Sequence, residues 1–506
     1  MFSNVSSAGS AAAGRRILAF ACASLFCGSG GRAQEPPPQS QIDLLRREID
    51  ELKRRDAEKE LKIQGLLGEV RSLKASQDAA AGDELERAVR EVTASTETAS
   101  APSATTGAAA GPFRLIDISW DSLFAGGTST ATDAQLGRLQ GGGHDPRKRG
   151  FTVQNNELSI SGAVDPYFTA EAHVVFVVDP VEGETIVELE EAFATTSSLP
   201  FGLELEAGQF FTEFGRLNPR HPHQWEFLDQ PVINSRLFGP DGLRGPGVRL
   251  GWLLPLDWFS ELHLGVQNAA GETTESFLAN EEVFDERPVG GRPFVESDAE
   301  ILSDLLYLMR LDNGFDITDE IGMKVGLSAL YGPNATGEGG DTWIYGADIL
   351  FKWRPAANER GWPFVIWQTE FMNRDYRAAR FFDAGAPLDP SDDIVLPGDD
   401  LGDWGLYTQV LWGFTPGWVL GLRYDYAAGD GAFFDAAAGA LVDRSADPFG
   451  DDRHRFSFLL SYLPTEFSRI RFQWNLDEAQ HLDENQAHSF WLGLEILLGS
   501  HAAHTY

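Results

Sequence analysis

Phe467-Ser468-Arg469-Ile470-Arg471-Phe472-Gln473-Trp474-Asn475-Leu476 and then Phe490-Trp491-Leu492-Gly493-Leu494-Glu495-Ile496-Leu497-Leu498 decide the fold. Side chains on a strand have a period of two, so each stretch has two unlike faces. Ile470, Phe472, Trp474 and Leu476 share one side of the first, and Arg469, Arg471, Gln473 and Asn475 the other. In the second, Phe490, Leu492, Leu494, Ile496 and Leu498 oppose Ser489, Gly493 and Glu495. Two arginines and a glutamate need water or partners. The same pattern recurs for most of the chain, which is the pattern of a cylinder with lipid outside and water inside.

Working outward, about sixteen such segments are expected from Phe113 onward, each near the 9–11 residues that cross a bilayer at a tilt. Compact turns at Asp165-Pro166, Leu199-Pro200, Pro255-Leu256, Thr415-Pro416 and Pro464-Thr465 alternate with longer connections at 126–150, 211–246, 269–300, 377–402 and 428–452. Short turns at one end and long loops at the other are barrel topology, with both chain ends periplasmic. The fold class is therefore all-β: a transmembrane antiparallel β-barrel of about 16 strands over 112–506. Trp252, Trp258, Trp343, Trp353, Trp362, Trp404, Trp412 and Trp418 fall near segment ends and are expected to form interfacial girdles.

The chain has 506 residues, with 76 Asp and Glu against 40 Lys and Arg, a formal net charge of −36. That balance argues against a nucleic-acid partner, whose phosphates call for stripes of Lys and Arg. No apolar run reaches the length of a spanning helix. Arg15 and Arg16, the apolar run 17–26 and Gly31-Arg32-Ala33 read as a signal peptide over 1–33, which contains both cysteines, Cys22 and Cys27. Residues 34–75 carry heptads, with Ile42, Leu45, Ile49 and Leu52 continued by Ile63, Leu66, Val70 and Leu73. They predict a short periplasmic α-helical coiled coil, and hence a homotrimer joined through coiled coil and barrel walls. Residues 76–111 are rich in Ala, Ser, Thr and Gly and read as a linker.

Alternation places Lys324, Arg423, Arg455, Arg469, Arg471, Glu188, Glu190, Asp425 and Glu495 toward the lumen. Acids lie mostly on early strands and bases on late ones. Two readings stay open: an arginine ladder for anionic solutes, or opposite charges that pair across the lumen. A long connection opens with Thr212-Glu213-Phe214-Gly215-Arg216-Leu217-Asn218-Pro219-Arg220-His221-Pro222-His223-Gln224-Trp225. Long, aromatic and Pro-rich, it is a candidate to fold inward and narrow the pore. His221 and His223, with His501 and His504 of the tail, are candidate zinc ligands. The loop and the tail belong to opposite ends of the barrel, so they meet only if one enters the lumen. No GxSxG, HExxH, P-loop or dinucleotide fingerprint stands in a fitting context, and no enzyme is expected.

Leu189-Glu190-Glu191-Ala192-Phe193, Gly208-Gln209-Phe210-Phe211, Leu217-Asn218, His221-Pro222-His223-Gln224-Trp225 and the tail His501-Ala502-Ala503-His504-Thr505-Tyr506 carry a resemblance. In them the chain resembles bacterial outer-membrane barrels labelled zinc-regulated TonB-dependent outer membrane receptor, whose barrels are similar to phosphate-selective porins. Elsewhere the resemblance is strand pattern alone. It implies the bacterial outer membrane and adds weight to zinc at the four histidines. One departure matters: a TonB-dependent receptor has a globular plug and about 22 strands, and the region before Phe113 is too small and too biased in composition for a plug. The expected function is thus a porin for passive diffusion of small hydrophilic solutes, anion-preferring. The alternatives are a zinc-binding or uptake protein and a structural barrel tied to the periplasm.

Overall fold

The alternation closes on itself. In the computed structural model, residues 116–499 are described except 140, 180–182, 298, 384–393 and 483. The signal-peptide, coiled-coil and linker expectations over 1–111, and the tail histidines His501 and His504, lie outside the described residues.

Twenty strands are described. The first eleven are β1 (Asp117–Ser129), β2 (Gly150–Ala163), β3 (Phe168–Val178), β4 (Thr185–Thr196), β5 (Leu203–Phe211), β6 (Arg244–Leu253), β7 (Phe259–Asn268), β8 (Leu305–Thr318), β9 (Ile321–Pro333), β10 (Asp341–Trp353) and β11 (Phe364–Ala378). Then come β12 (Phe381–Asp383), β13 (Ile394–Leu396), β14 (Asp399–Thr415), β15 (Trp418–Asp430), β16 (Ala432–Asp435), β17 (Ala440–Asp443), β18 (Arg453–Thr465), β19 (Ser468–Ala479) and β20 (Gln486–Gly499). Sixteen of them form one closed antiparallel barrel, sealed where β1 pairs β20 from Ser119↔Gly499 to Ser129↔Ser489. Closure removes every open edge, which is what a sheet in lipid requires.

The end that carries Asp117 and Gly499 also carries the tight turns, such as those at 165–167, 254–258 and 466–467. The opposite end carries 130–149, 212–243, 269–304, 379–398 and 431–452. Two of these long connections contain hairpins, β12–β13 and β16–β17, where the sequence reads only loop. Their strands are three or four residues long, too short for a period-two pattern to stand out.

Burial runs the opposite way from that of a water-soluble sheet. On β20 the apolar row from Phe490 to Leu498 is 43–72 % exposed, while Ser489 and Glu495 are fully buried. Apolar side chains stand outward around the whole cylinder, including Trp252, Trp343, Trp404, Trp412 and Trp418. Such an exterior is matched to acyl chains. Trp362 is the exception among the girdle residues. Its ring meets that of Phe364 at a tilt, with centroids 4.9 Å apart, and packs against an inward-facing cluster.

The interior departs from a plainly wet bore. Leu306, Leu308, Leu330, Ile344, Met372 and Tyr407 face inward from β8 to β14 and form a core with Phe214, Val232, Ile233, Leu237 and Phe238. A second core joins Phe227 to Phe364, Ile366, Leu411, Val419 and Leu459. The connection 212–243 has folded into the barrel, and the apolar side chains it brings are what those wall residues cover.

Candidate functional site

The site is this loop and the wall it meets. Residues 212–243 hold Pro219, Pro222, Pro231 and Pro240, a 3-10 turn at Pro222–Gln224 and a short α-helix, α1 (Val232–Phe238). Left in water, the loop would expose Phe227, Leu228, Val232, Ile233, Leu237 and Phe238, so burial draws it into the lumen. The wall makes room at two glycines. A Cβ at Gly346 would stand 2.6 Å from the Phe214 ring, and one at Gly493 would strike Leu228.

On the late strands the loop is held by arginines. Asp229 accepts hydrogen bonds from Arg423 (2.6 Å), Arg455 (3.1 Å), Gln473 (2.8 Å) and Asn475 (2.6 Å). Arg469 donates to the carbonyls of His223 (2.8 Å) and Trp225 (2.9 Å), and Arg471 to that of Trp225 (2.9 Å). Glu495 accepts from both arginines at 2.7 and 2.8 Å. Arg423 is also paired with Asp425 at 2.9 Å, and Arg455 with Asp477 at 2.7 Å. Burial would raise the Asp229 carboxyl, but Arg423 and Arg455 beside it hold it below the ordinary aspartate value.

Arg423, Arg455, Arg469 and Arg471 do stand on one wall, yet each is at most 3 % exposed. They grip a loop rather than face a solute. The sequence could not reveal this, because alternation gives the face of a side chain and not what covers it.

On the early strands the polarity is reversed. His221 stands with Nδ1 2.8 Å from Glu190 Oε2 and 3.2 Å from Glu157 Oε2, and with Nε2 2.8 Å from Glu191 Oε2. His223 Nδ1 is 3.2 Å from Glu157 Oε2. His173 on β3 places Nδ1 2.8 Å from Glu157 Oε1 and 3.0 Å from Ser159 Oγ. Burial alone would lower the His221 imidazole, but Glu157 and Glu190 outweigh it and hold it well above the usual histidine value. Glu188 lies one step away, paired with Arg244.

Strict alternation would turn Glu190 and Glu191 to opposite faces. The ladder between β3 and β4 instead slips where His173↔Glu191 is followed by Val174↔Leu189, leaving Glu190 as the extra residue. A bulge of this kind re-aims side chains, and here both carboxylates reach His221. His173 and Glu191 on this wall, like Asp229 in the loop, are site residues that sequence reasoning missed. His173 was within reach, since it alternates with Glu171 on β3. The bulge leaves no mark in the residue pattern.

A third side of the loop is fixed by Arg216. Its backbone N–H donates to Glu370 at 2.6 Å, and its guanidinium pairs with Asp312 (2.9 Å) and Asp348 (2.7 Å). Thr212 donates to Gln267 on β7 at 2.6 Å, and Gln154 on β2 donates to the Leu228 carbonyl at 3.0 Å. The loop thus touches walls on all sides of the lumen. Below it, toward the tight-turn end, the inward charges that stay solvated are mainly acidic. Glu171, Glu204 and Glu261 have side chains 26–46 % exposed, against Lys324 at 47 % and Lys352, which lines a cavity with it.

No protein-family model matches the chain. An uncharacterized protein of Aquifex aeolicus is 29 % identical over 389 residues, 72 % of this chain and 73 % of that one. Among solved structures, the outer membrane channel DcaP of Acinetobacter baumannii aligns with a TM-score of 0.48 at 9 % identity, covering 76 % of this chain and 97 % of that one. OmpT of Vibrio cholerae, described in a trimer form, gives 0.44 at 9 % identity over 76 % and 99 %. An anion-selective porin from Comamonas acidovorans gives 0.42 at 9 % identity over 76 % and 98 %.

Proposed function

We propose that this chain is an outer-membrane channel for passive diffusion of small hydrophilic solutes, narrowed by the loop 212–243, with a preference for cations. The observation that carries the reading is a closed sixteen-strand cylinder whose apolar side chains face outward and whose charged ones face in. The preference follows from what the loop leaves over. An anion ladder would have used Arg423, Arg455, Arg469 and Arg471, and these are occupied by Asp229, Glu495 and loop carbonyls. Lumenal carboxylates that remain solvated outnumber solvated lysines, and rings of carboxylates favour cations.

Heptads at Ile42–Leu73 support a homotrimer with a periplasmic coiled coil. The deciding measurement is single-channel conductance of the purified protein in planar bilayers, followed by reversal potential in a salt gradient. Discrete steps with a cation-favouring potential are expected. An absence of steps would leave the structural-barrel reading, and an anion-favouring potential would restore the arginine ladder.

A further inference from the structure

We propose that Glu157, His173 and His221, joined by Glu190 or His223, bind one divalent transition-metal ion of the zinc, copper(II) or nickel class where the loop meets the early strands. Donor atoms of Glu157, His173 and His221 all lie within 4.8 Å of one another, and all three residues are largely buried. Three imidazole Nδ1 atoms converge on one carboxylate: His173 at 2.8 Å from Oε1, and His221 and His223 each at 3.2 Å from Oε2. Around a tetrahedral ion with bonds of about 2.0–2.1 Å, donors stand roughly 3.3 Å apart. The three nitrogen–oxygen spacings to Glu157, 2.8, 3.2 and 3.2 Å, are near that value, and the donor set as a whole spans no more than 4.8 Å. Imidazole nitrogen with carboxylate is the donor set that zinc, copper and nickel favour over calcium or magnesium.

Two features beyond the donors point the same way. A metal-bound histidine usually gives its other ring N–H to a carboxylate, which fixes the tautomer. Here His221 Nε2 meets Glu191 Oε2 at 2.8 Å, and His173 Nε2 lies 3.7 Å from Glu171. The β4 bulge permits this, because it supplies Glu190 on the Nδ1 side and Glu191 on the Nε2 side of one ring. The second feature is an acidic cavity nearby. A cavity of about 460 Å³ at the loop-bearing end is lined by Asp179, Glu188, Asp241, Glu275 and Glu286, with Arg147 beside them. Its Asp241 stands 3.8 Å from His144, and His144 stands 4.0 Å from Glu190. An acidic lining of this kind concentrates cations at this end of the barrel.

Binding displaces protons: as the ion enters, His173 and His221 each give up an Nδ1 proton to solvent, and Glu157 stays a carboxylate. The sequence pairs His221 and His223 with His501 and His504. Among the described residues His221 and His223 meet carboxylates of the wall, and the proposed ligand set is drawn from these alone. It also stands independently of conductance.

Titrating the full-length, detergent-purified protein with Co²⁺ and following its d–d absorption tests the assignment, with Zn²⁺ displacement as the second readout. One Co²⁺ per chain with bands of low-coordinate geometry is expected. H173Q and H221Q should each weaken binding at least about tenfold, while H501Q/H504Q leaves it unchanged. Heat-modifiable migration of each variant checks that its barrel is folded. The assignment is overturned if wild type binds no Co²⁺, if either H173Q or H221Q binds as tightly as wild type, or if the tail variant alone abolishes the bands.

Discussion

The late-strand wall and the early-strand wall hold the same loop by opposite means. On β15 to β19 the wall is basic and the loop supplies the acid, Asp229, together with backbone carbonyls. On β2 to β4 the wall is acidic and the loop supplies the bases, His221 and His223. The loop therefore carries a dipole matched to a field across the barrel, and only one seating pairs both ends. A reversed seating would set Asp229 against Glu157, Glu190 and Glu191 and leave buried arginines opposite imidazoles. Burying like charges together is the arrangement that electrostatics penalises most. The segregation of acids onto early strands and bases onto late ones acts here as an orienting device for the loop.

The two grips differ in how they fail. Guanidinium groups keep their charge at any pH of interest, whereas carboxylates left without a partner can take up a proton. Asp229→Ala should therefore be the most damaging single change. It takes from Arg423 and Arg455 one of the two buried carboxylates that each of them meets, leaves them Asp425 and Asp477, and removes the acceptor of Gln473 and Asn475, at a cost of about 3–5 kcal/mol. Thermal unfolding measured by circular dichroism reads the loss, and conductance should rise as the loop comes away from β15 to β19. His221→Asn attacks the other grip. The stranded Glu190 and Glu191 can neutralise themselves, so a smaller penalty of about 1–3 kcal/mol is expected in the same unfolding assay. If the second change proved the worse, the loop would be anchored chiefly on the early strands.

Acid sharpens the same contrast. The Asp229 carboxyl is depressed in the folded protein by Arg423 and Arg455. A depressed carboxyl contributes its stability above the unfolded value, near pH 3.8, and loses it as pH falls through the lower folded value. The arginine-side grip should thus hold unchanged through mildly acidic conditions and release only well below pH 3.8. Conductance recorded down a pH series would show this, and Asp229→Asn should remove that acid limb.

How much of this was legible beforehand depends on what kind of signal each feature leaves. The period of two exposed the faces of Arg469, Arg471 and Glu495 directly, because each barrel strand is long enough for alternation to accumulate. The loop's inward fold was only suggested by Phe214, Trp225 and the prolines. That it reaches Asp229 to Arg423 is a contact across nearly two hundred residues, and no local pattern encodes it. Glu191 was illegible for a different reason: one extra residue in β4 changes the parity of everything beyond it, and bulges carry no fixed residue signature.

The smallest expected effect separates loop from pore. Glu204 and Glu261 face the lumen below the loop with side chains 46 % and 26 % exposed. Glu204 has one ion pair at 3.5 Å, to Arg249, which is already held by Glu206 at 2.9 Å. Exposed charges of this kind contribute little to stability, so Glu204→Gln with Glu261→Gln should leave unfolding within about 0.5 kcal/mol of wild type. Reversal potential is a different matter, because a charge in a narrow aqueous passage acts on every ion that passes. The double variant should lose part of its cation preference, most clearly at low salt, where screening is weakest. Asp229→Ala changes the width of the passage, whereas this variant changes only its charge. A potential that stays fixed across the salt series would mean that ions do not pass these two carboxylates, and that the conducting path runs along another face of the loop.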